Sequence, residues 1–216
     1  YDGLDQIQIA KRSDGLEIRY HYDAFGRRIG ETRNDGSSVF YGWDQNAPVE
    51  ERWSSGHVVR RVFDDDDRTL LLENDPKNGF RSAICDTAST PYLMVGADGA
   101  TAELELDPWG VEVARDGDFT RMRFAGQQKD ELTGLSYHRA RTYAPDLGAF
   151  LSPDPLGLEA SAFEIAFVPN TTAWIDLLGL VILLCSDDPL CTTFAQQRAA
   201  ATRSEEHTSE LQSPLN

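Results

Sequence analysis

Over the first 125 residues the apolar positions follow a strand period, with little of helical period. The run Ala102-Glu103-Leu104-Glu105-Leu106-Asp107 alternates strictly, apolar on one side and carboxylate on the other, which is the pattern of a strand with one buried and one wet face. β-Prone runs recur at Glu17-Ile18-Arg19-Tyr20-His21-Tyr22, Val39-Phe40-Tyr41-Gly42-Trp43 and His57-Val58-Val59-Arg60-Arg61-Val62-Phe63. Turn signals separate them at Asp14-Gly15, Phe25-Gly26, Asp35-Gly36, Gln45-Asn46 and Ser55-Gly56, whose second residues are 11, 10, 10 and 10 positions apart. A turn every 8–12 residues predicts serial antiparallel hairpins.

The turns share a composition. Tyr22-Asp23-Ala24-Phe25-Gly26-Arg27 has a partner in Leu106-Asp107-Pro108-Trp109-Gly110-Val111, and a degenerate copy stands at Tyr1-Asp2-Gly3-Leu4-Asp5. An Asp at the turn entrance can accept backbone N–H bonds, and a Gly beyond it allows positive φ. An internal repeat of this kind describes a modular sheet that grows hairpin by hairpin. From about Arg123 the character changes. Gly and Pro become dense and Tyr alternates with Arg, which predicts a compact cap in place of a further hairpin.

Composition narrows the function classes. The 216 residues carry 20 Lys and Arg against 36 Asp and Glu, a net charge of −16. No basic face for nucleic acid is supplied in bulk. Part of the acidity is expected on a solvated strand face. The longest apolar run, Leu177 to Cys185, is nine residues, short of the ~20 that a membrane-spanning helix needs. Cys85, Cys185 and Cys191 fit neither a disulfide framework nor a zinc pattern. The run Asp64-Asp65-Asp66-Asp67 lacks the alternating ligands of a calcium loop and reads as a solvated loop. Neither a metal nor a cofactor is expected. No Gly-x-Ser-x-Gly or phosphate-binding loop supports a conventional hydrolase. The first residues read as the middle of a longer chain.

The aromatic-Asp-x-x-Gly-Arg turns resemble YD repeats. The stretch from Arg123 to Leu180 resembles the core domain of rearrangement-hotspot (Rhs) proteins and of the C subunits of insecticidal toxin complexes. Thr90-Pro91-Tyr92-Leu93, Asp98-Gly99 and Asp107-Pro108-Trp109-Gly110 fit the lead-in to that core, and Phe124 to Gly157 is the most specific part. The resemblance implies an all-β fold: serial antiparallel hairpins forming part of a spiralling YD-repeat β-shell, closed by an Rhs core cap. The expected division is 1–122 YD-repeat sheet, 123–180 core, and 181–202 the stub of a variable C-terminal toxin. Residues 203–216, which include Arg203-Ser204-Glu205-Glu206-His207-Thr208-Ser209-Glu210, resemble the translation of a sequencing adapter. That tail holds one Arg and three Glu, so the remainder carries −14.

The resemblance further implies a toxin held inside the shell and freed by self-cleavage at two Asp-Pro-x-Gly motifs 22 residues apart, with an upstream Arg. The first is intact at Asp154-Pro155-Leu156-Gly157. The second is Asp176-Leu177-Leu178-Gly179, preceded by Trp174, and the Arg maps onto Arg141. Two neighbouring carboxylates that share a proton can act as acid and base on one peptide bond. Because that bond lies on the same chain, its effective concentration is high. By the resemblance the cut falls between Leu180 and Val181. Each motif is also an ordinary turn sequence. Departures from the family at Leu177, Ala149 and Phe163 predict residual or absent cutting.

Implied partners are the chain's own C-terminal toxin, a secretion apparatus and an immunity protein, with no nucleic acid bound by the shell. The implied location is the bacterial cytoplasm before export, then delivery outside or at the surface, in competition between bacteria. The alternative is a structural or cell-surface YD-repeat module with no catalysis.

Overall fold

A computed structural model describes residues 1, 6–65, 69–155, 165, 167–168, 174–176, 179–180 and 182–184. The predicted hairpins form one antiparallel sheet of eleven strands in sequence order. These are β1 (Ile9–Lys11), β2 (Glu17–Tyr22), β3 (Arg28–Arg33), β4 (Ser38–Asp44), β5 (Ala47–Trp53), β6 (Val58–Phe63), β7 (Leu70–Asp75), β8 (Gly79–Cys85), β9 (Pro91–Gly96), β10 (Thr101–Leu106) and β11 (Glu112–Asp116). In β10 the alternation holds: Ala102 and Leu104 are buried, while Glu103 and Glu105 are exposed.

The Asp turns act as the repeat predicts. Asp23 Oδ1 accepts the backbone N–H groups of Phe25 and Arg27, each at 2.9 Å. Asp107 Oδ1 accepts those of Trp109 and Val111 at 2.9 and 2.8 Å. Gly26 and Gly110 hold the positive-φ position. The same turn stands at Asp86, whose Oδ1 accepts from Ala88 and Thr90, with Ser89 at φ 60° in the glycine's place. Asp64 enters a related turn by accepting the Thr69 N–H at 3.0 Å. Of the degenerate copy, residues 2–5 lie outside the described residues.

A register shift precedes each of these four turns, at His21/Tyr22, Val62/Phe63, Ile84/Cys85 and Glu105/Leu106, and a fifth, at Gly42/Asp44, precedes the Gln45-Asn46 turn. Bulges bend a strand and increase its twist. One bulge per repeat at the same place curls the sheet in one sense.

The segment after β11 fills the concave side. It contains a 3-10 turn (Phe124–Gly126), then β12 (Gln128–Lys129), β13 (Ser136–His138), β14 (Arg141–Ala144), a second 3-10 turn (Pro145–Leu147) and β15 (Ala149–Phe150). β12 to β15 form a four-stranded antiparallel sheet. The expectation of a cap without a further hairpin is corrected here, since β13 and β14 are a hairpin joined through Arg139 at φ 47°. Two short strands, β16 (Trp174–Asp176) and β17 (Ile182–Leu184), pair antiparallel.

Besides the solvated glutamates of β10, charge is also buried. The inward positions of successive strands read Tyr20, Glu31, Tyr41, Glu51, Arg61, Glu73 and Arg81, all buried. Glu31, Glu51 and Glu73 are at most 2% exposed, so part of the acidity lies in the interior and not on a solvated face. Arg61 bridges Glu51 at 2.7 Å and Glu73 at 2.9 Å, and Arg81 closes on Glu73 at 2.9 Å. Burial alone would raise the Glu51 carboxyl, but Arg61 and Arg121 pull it down from 4.5 to about 2.

The docked segment completes this stripe. Thr120 Oγ1 donates to Glu73 at 2.7 Å, Gln128 Nε2 to Glu51 at 2.8 Å and Arg121 Nη1 to Glu51 at 3.1 Å. Toward one end of the sheet, Tyr20 donates to Asp130 at 2.6 Å. Toward the other, Lys129 reaches Glu112 at 2.7 Å. Nine strand spacings of about 4.8 Å would set β2 and β11 about 43 Å apart in a flat sheet. Neighbouring residues of one small unit touch both, so the sheet wraps around it.

Candidate site at Arg141

Strand alternation gives the small sheet two different faces. Gln128, Tyr137 and Thr142 point to the long sheet. Gln128 bonds Glu51, the Tyr137 hydroxyl accepts the Arg28 backbone N–H at 2.9 Å, and Thr142 receives Arg28 Nη2 at 3.5 Å. The Arg28 guanidinium is stacked between the rings of Tyr20 and Tyr137, 4.0 and 4.2 Å from their centroids. The opposite face carries Gln127, His138, Arg141, Tyr143 and Phe150. Gln127 and His138 are in contact through Nε2 and Nδ1 at 3.2 Å. Tyr143, Phe150, Phe167 and Val168 form a buried apolar cluster.

On this second face the three sequence-identified charged residues meet. Arg141 Nη2 lies 2.9 Å from Asp176 Oδ2 and 3.1 Å from Asp154 Oδ2. Arg141 is 4% exposed, Asp154 5% and Asp176 1%, so their attraction is little screened by water. Burial lowers the Arg141 guanidinium from its ordinary value, against the raising influence of Asp176 and Asp154. Arginine nevertheless stays charged in proteins. Residues 13 and 35 positions apart from Arg141 are thereby gathered on one guanidinium edge.

The chain after Asp176 returns to the same group. Arg141 Nε donates to the Gly179 carbonyl, and the Leu180 N–H donates to Asp176 Oδ1 at 2.8 Å. The peptide unit joining Gly179 and Leu180 is therefore held at its oxygen by Arg141 and at its nitrogen by Asp176. Gly179 is required twice over. Its φ is +69°, and a Cβ there would come 2.7 Å from the His138 carbonyl oxygen.

Of the remaining expected site residues, Pro155 is exposed and Ala149 is half-buried in β15. Trp174 is placed by its backbone in β16, opposite Leu184. Gly157, Phe163, Leu177 and Val181 lie outside the described residues, as do Asp66, Asp67, Cys191 and the segment from Cys185 to the C-terminus. Sequence reasoning missed the inward stripe, the Arg28 stack and Phe150. The signal for the stripe was present as polar residues about ten positions apart within β-prone runs. Among the described residues no group of three or more His, Cys, Asp or Glu is placed to hold a metal ion. No helix among them is long and apolar enough to cross a membrane.

The family model for the teneurin YD-shell matches residues 1–164. The chain is 26% identical over 191 residues to a probable deoxyribonuclease RhsA of Dickeya dadantii, covering 83% of this chain and 13% of the relative. It is 30% identical over 225 residues to the toxin protein Tse5 of Pseudomonas aeruginosa, covering 85% and 17%. A structure of the Photorhabdus luminescens Tc holotoxin pore superposes with a TM-score of 0.68 at 20% identity, over 87% of this chain and 10% of that one. That likeness shows a shared fold. The chain thus spans less than a fifth of the length of these curated relatives.

Proposed function

Because the chain belongs to the teneurin YD-shell family, as an Rhs-type YD-repeat protein, we propose that it is part of a toxin-delivery shell that cuts itself after Leu180 with the pair Asp154 and Asp176. In this reading residues 1–122 are shell wall, 123–180 are the core cap, and 181–202 open the enclosed passenger. The passenger, an export apparatus and an immunity protein for the passenger are the partners. The whole is made in a bacterial cytoplasm and then delivered outward.

The observation that carries the reading is the double hold on the peptide unit next to the bond in question. Asp176 accepts Arg141 on one oxygen and the Leu180 N–H on the other, contacts that suit a carboxylate. Asp154 then serves as the acid of the pair. Water adds to the Leu180 carbonyl carbon while its proton passes to Asp176, and Asp154 protonates the carbonyl oxygen. On collapse the bond to Val181 breaks. Its nitrogen leaves with the proton from Asp176, and Asp154 regains its own from the new carboxyl group. Arg141 keeps the two acids together throughout and polarises the neighbouring Gly179 carbonyl.

The intact Asp154-Pro155 motif fixes φ directly after the first acid, whereas Leu177 leaves the position after the second acid free. Cutting is accordingly slow. Leu177→Pro should speed it several-fold, read as the appearance of a band of about 20 kDa, for 180 residues at about 110 Da each. An unchanged rate would remove Leu177 as the cause. The same departure is what favours the second reading, an uncut structural or surface module. An intact chain in both wild type and Leu177→Pro would establish that reading instead.

A further inference from the structure

We infer that Phe150 is a positioning residue for the site: its ring fixes the plane of the Arg141 guanidinium, so that one edge faces both aspartates while Nε faces the Gly179 carbonyl. The role of Arg141 in cutting rests on the self-cleavage reading, whereas the way Arg141 is held does not.

The placement follows from strand register. Tyr143 of β14 stands opposite Phe150 of β15, and Arg141 is two residues before Tyr143 on the same face. Arg141 and Phe150 are therefore diagonal cross-strand neighbours, a separation that long and aromatic side chains span. The Arg141 Cζ lies 3.6 Å from the centre of the Phe150 ring. A guanidinium presents all five donors in its plane and none on its faces. Stacking on a ring thus occupies a face that could make no hydrogen bond and leaves the edges for Asp154, Asp176 and Gly179. The arrangement is strongest where water is excluded, and Phe150 is 2% exposed.

The ring is itself held. Tyr143 and Phe167 meet it edge-on, with centroids 5.8 and 5.5 Å away, and His138 lies 5.9 Å away in a tilted contact. The Phe150 N–H donates to the Ile165 carbonyl at 2.9 Å. The molecule uses the same device at Arg28, stacked between two tyrosines. There the stack joins two sheets, whereas here the edge of the cation faces two carboxylates.

The test uses the full chain with Phe150→Leu, Phe150→Tyr and Phe167→Leu, each followed for self-cleavage rate and melting temperature. Phe167 belongs to the same buried cluster and packs on Tyr143 at 4.4 Å in a tilted contact, so Phe167→Leu removes packing and one edge contact on the Phe150 ring but leaves that ring itself against Arg141. Phe150→Leu is expected to slow cutting about tenfold or more, with Phe150→Tyr within about twofold of wild type and Phe167→Leu close to it after matching for stability. Equal slowing by Phe150→Leu and Phe167→Leu would overturn the proposal. If Phe150→Leu does not fold, Phe150→Met, closer in volume, takes its place.

Hydrogen exchange at the Leu180 amide, bonded to Asp176, reads the same question without any cutting. Phe150→Leu should lose protection there and Phe150→Tyr should keep it. A wild-type chain that never cuts defeats the self-cleavage reading alone. Unchanged Leu180 protection in Phe150→Leu defeats the positioning role alone.

Discussion

At the scale of single residues, one carboxylate decides a turn. Asp23, Asp86 and Asp107 each accept two backbone N–H groups with one oxygen. Asp23 and Asp107 were legible because a glycine follows at the positive-φ position. Asp86 was not, because Ser89 takes that place. The serine is kept there by burial and by its hydroxyl contact with Thr69 at 2.8 Å, which no local propensity records. Asp86→Ala should lower stability by about 1.5–3 kcal/mol, the range for bonds to a charged group, measured by urea unfolding at neutral pH. A change under about 0.5 kcal/mol, the level of an ordinary surface substitution, would mean that the turn holds without its carboxylate. The glycine argument reaches the site as well: Gly179 was identified through its motif, but its reason, the close approach to the His138 carbonyl, is a tertiary fact.

At the scale of elements, the period-2 pattern located the strands and left the chemistry of their inward face unread. Alternation marks Glu51 and Arg61 as inward positions, yet only register sets Arg61 opposite Glu73, and only the docked segment brings Arg121 to Glu51. The solvated share of the acidity, Glu103 and Glu105 of β10, was legible, and the buried share was not. A glutamate is taken for a surface residue until its cross-strand partners are known. Removing one partner of a buried pair leaves an uncompensated charge. Glu51→Ala, which takes the carboxylate from Arg121 and leaves Arg61 with Glu73 alone, should therefore lower the urea-unfolding stability by about 3–5 kcal/mol.

The acid limb carries the sign of the same interaction. The folded Glu51 carboxyl is pulled down to about 2 from an ordinary 4.5. Its contribution is fully present above about pH 4.5 and is lost as pH falls toward 2. The melting temperature should drop across that window and do so less steeply in Glu51→Gln. An identical acid limb in the variant would separate Glu51 from the acid response. The small sheet gives a second case at this scale. Tyr137 and His138 are adjacent in sequence, yet alternation sends the first to Arg28 and the second to the face of Arg141.

At the scale of the whole molecule, a meander of eleven strands curls because each repeat carries a bulge beside its Asp turn. The curl brings Tyr20 and Glu112 to one docked unit. The sequence contained the repeat and the motifs. It did not contain the closure, which depends on side chains such as Asp130 and Lys129 reaching opposite ends of the sheet. The face on which Arg141, Asp154 and Asp176 converge lies on the other side of the docked unit, against Phe167, Val168 and the Gly179–Leu180 peptide.

In the proposed function, this convergence of Arg141, Asp154 and Asp176 cuts the chain. The direct measurement is the intact mass of the purified full-length protein over time, beside Asp154→Asn and Asp176→Asn. Wild type should slowly yield a fragment ending at Leu180 and a complementary fragment beginning at Val181, and both variants should stay whole. A fragment that still forms in either variant, a cut at another bond, or a wild-type chain that remains whole would contradict it.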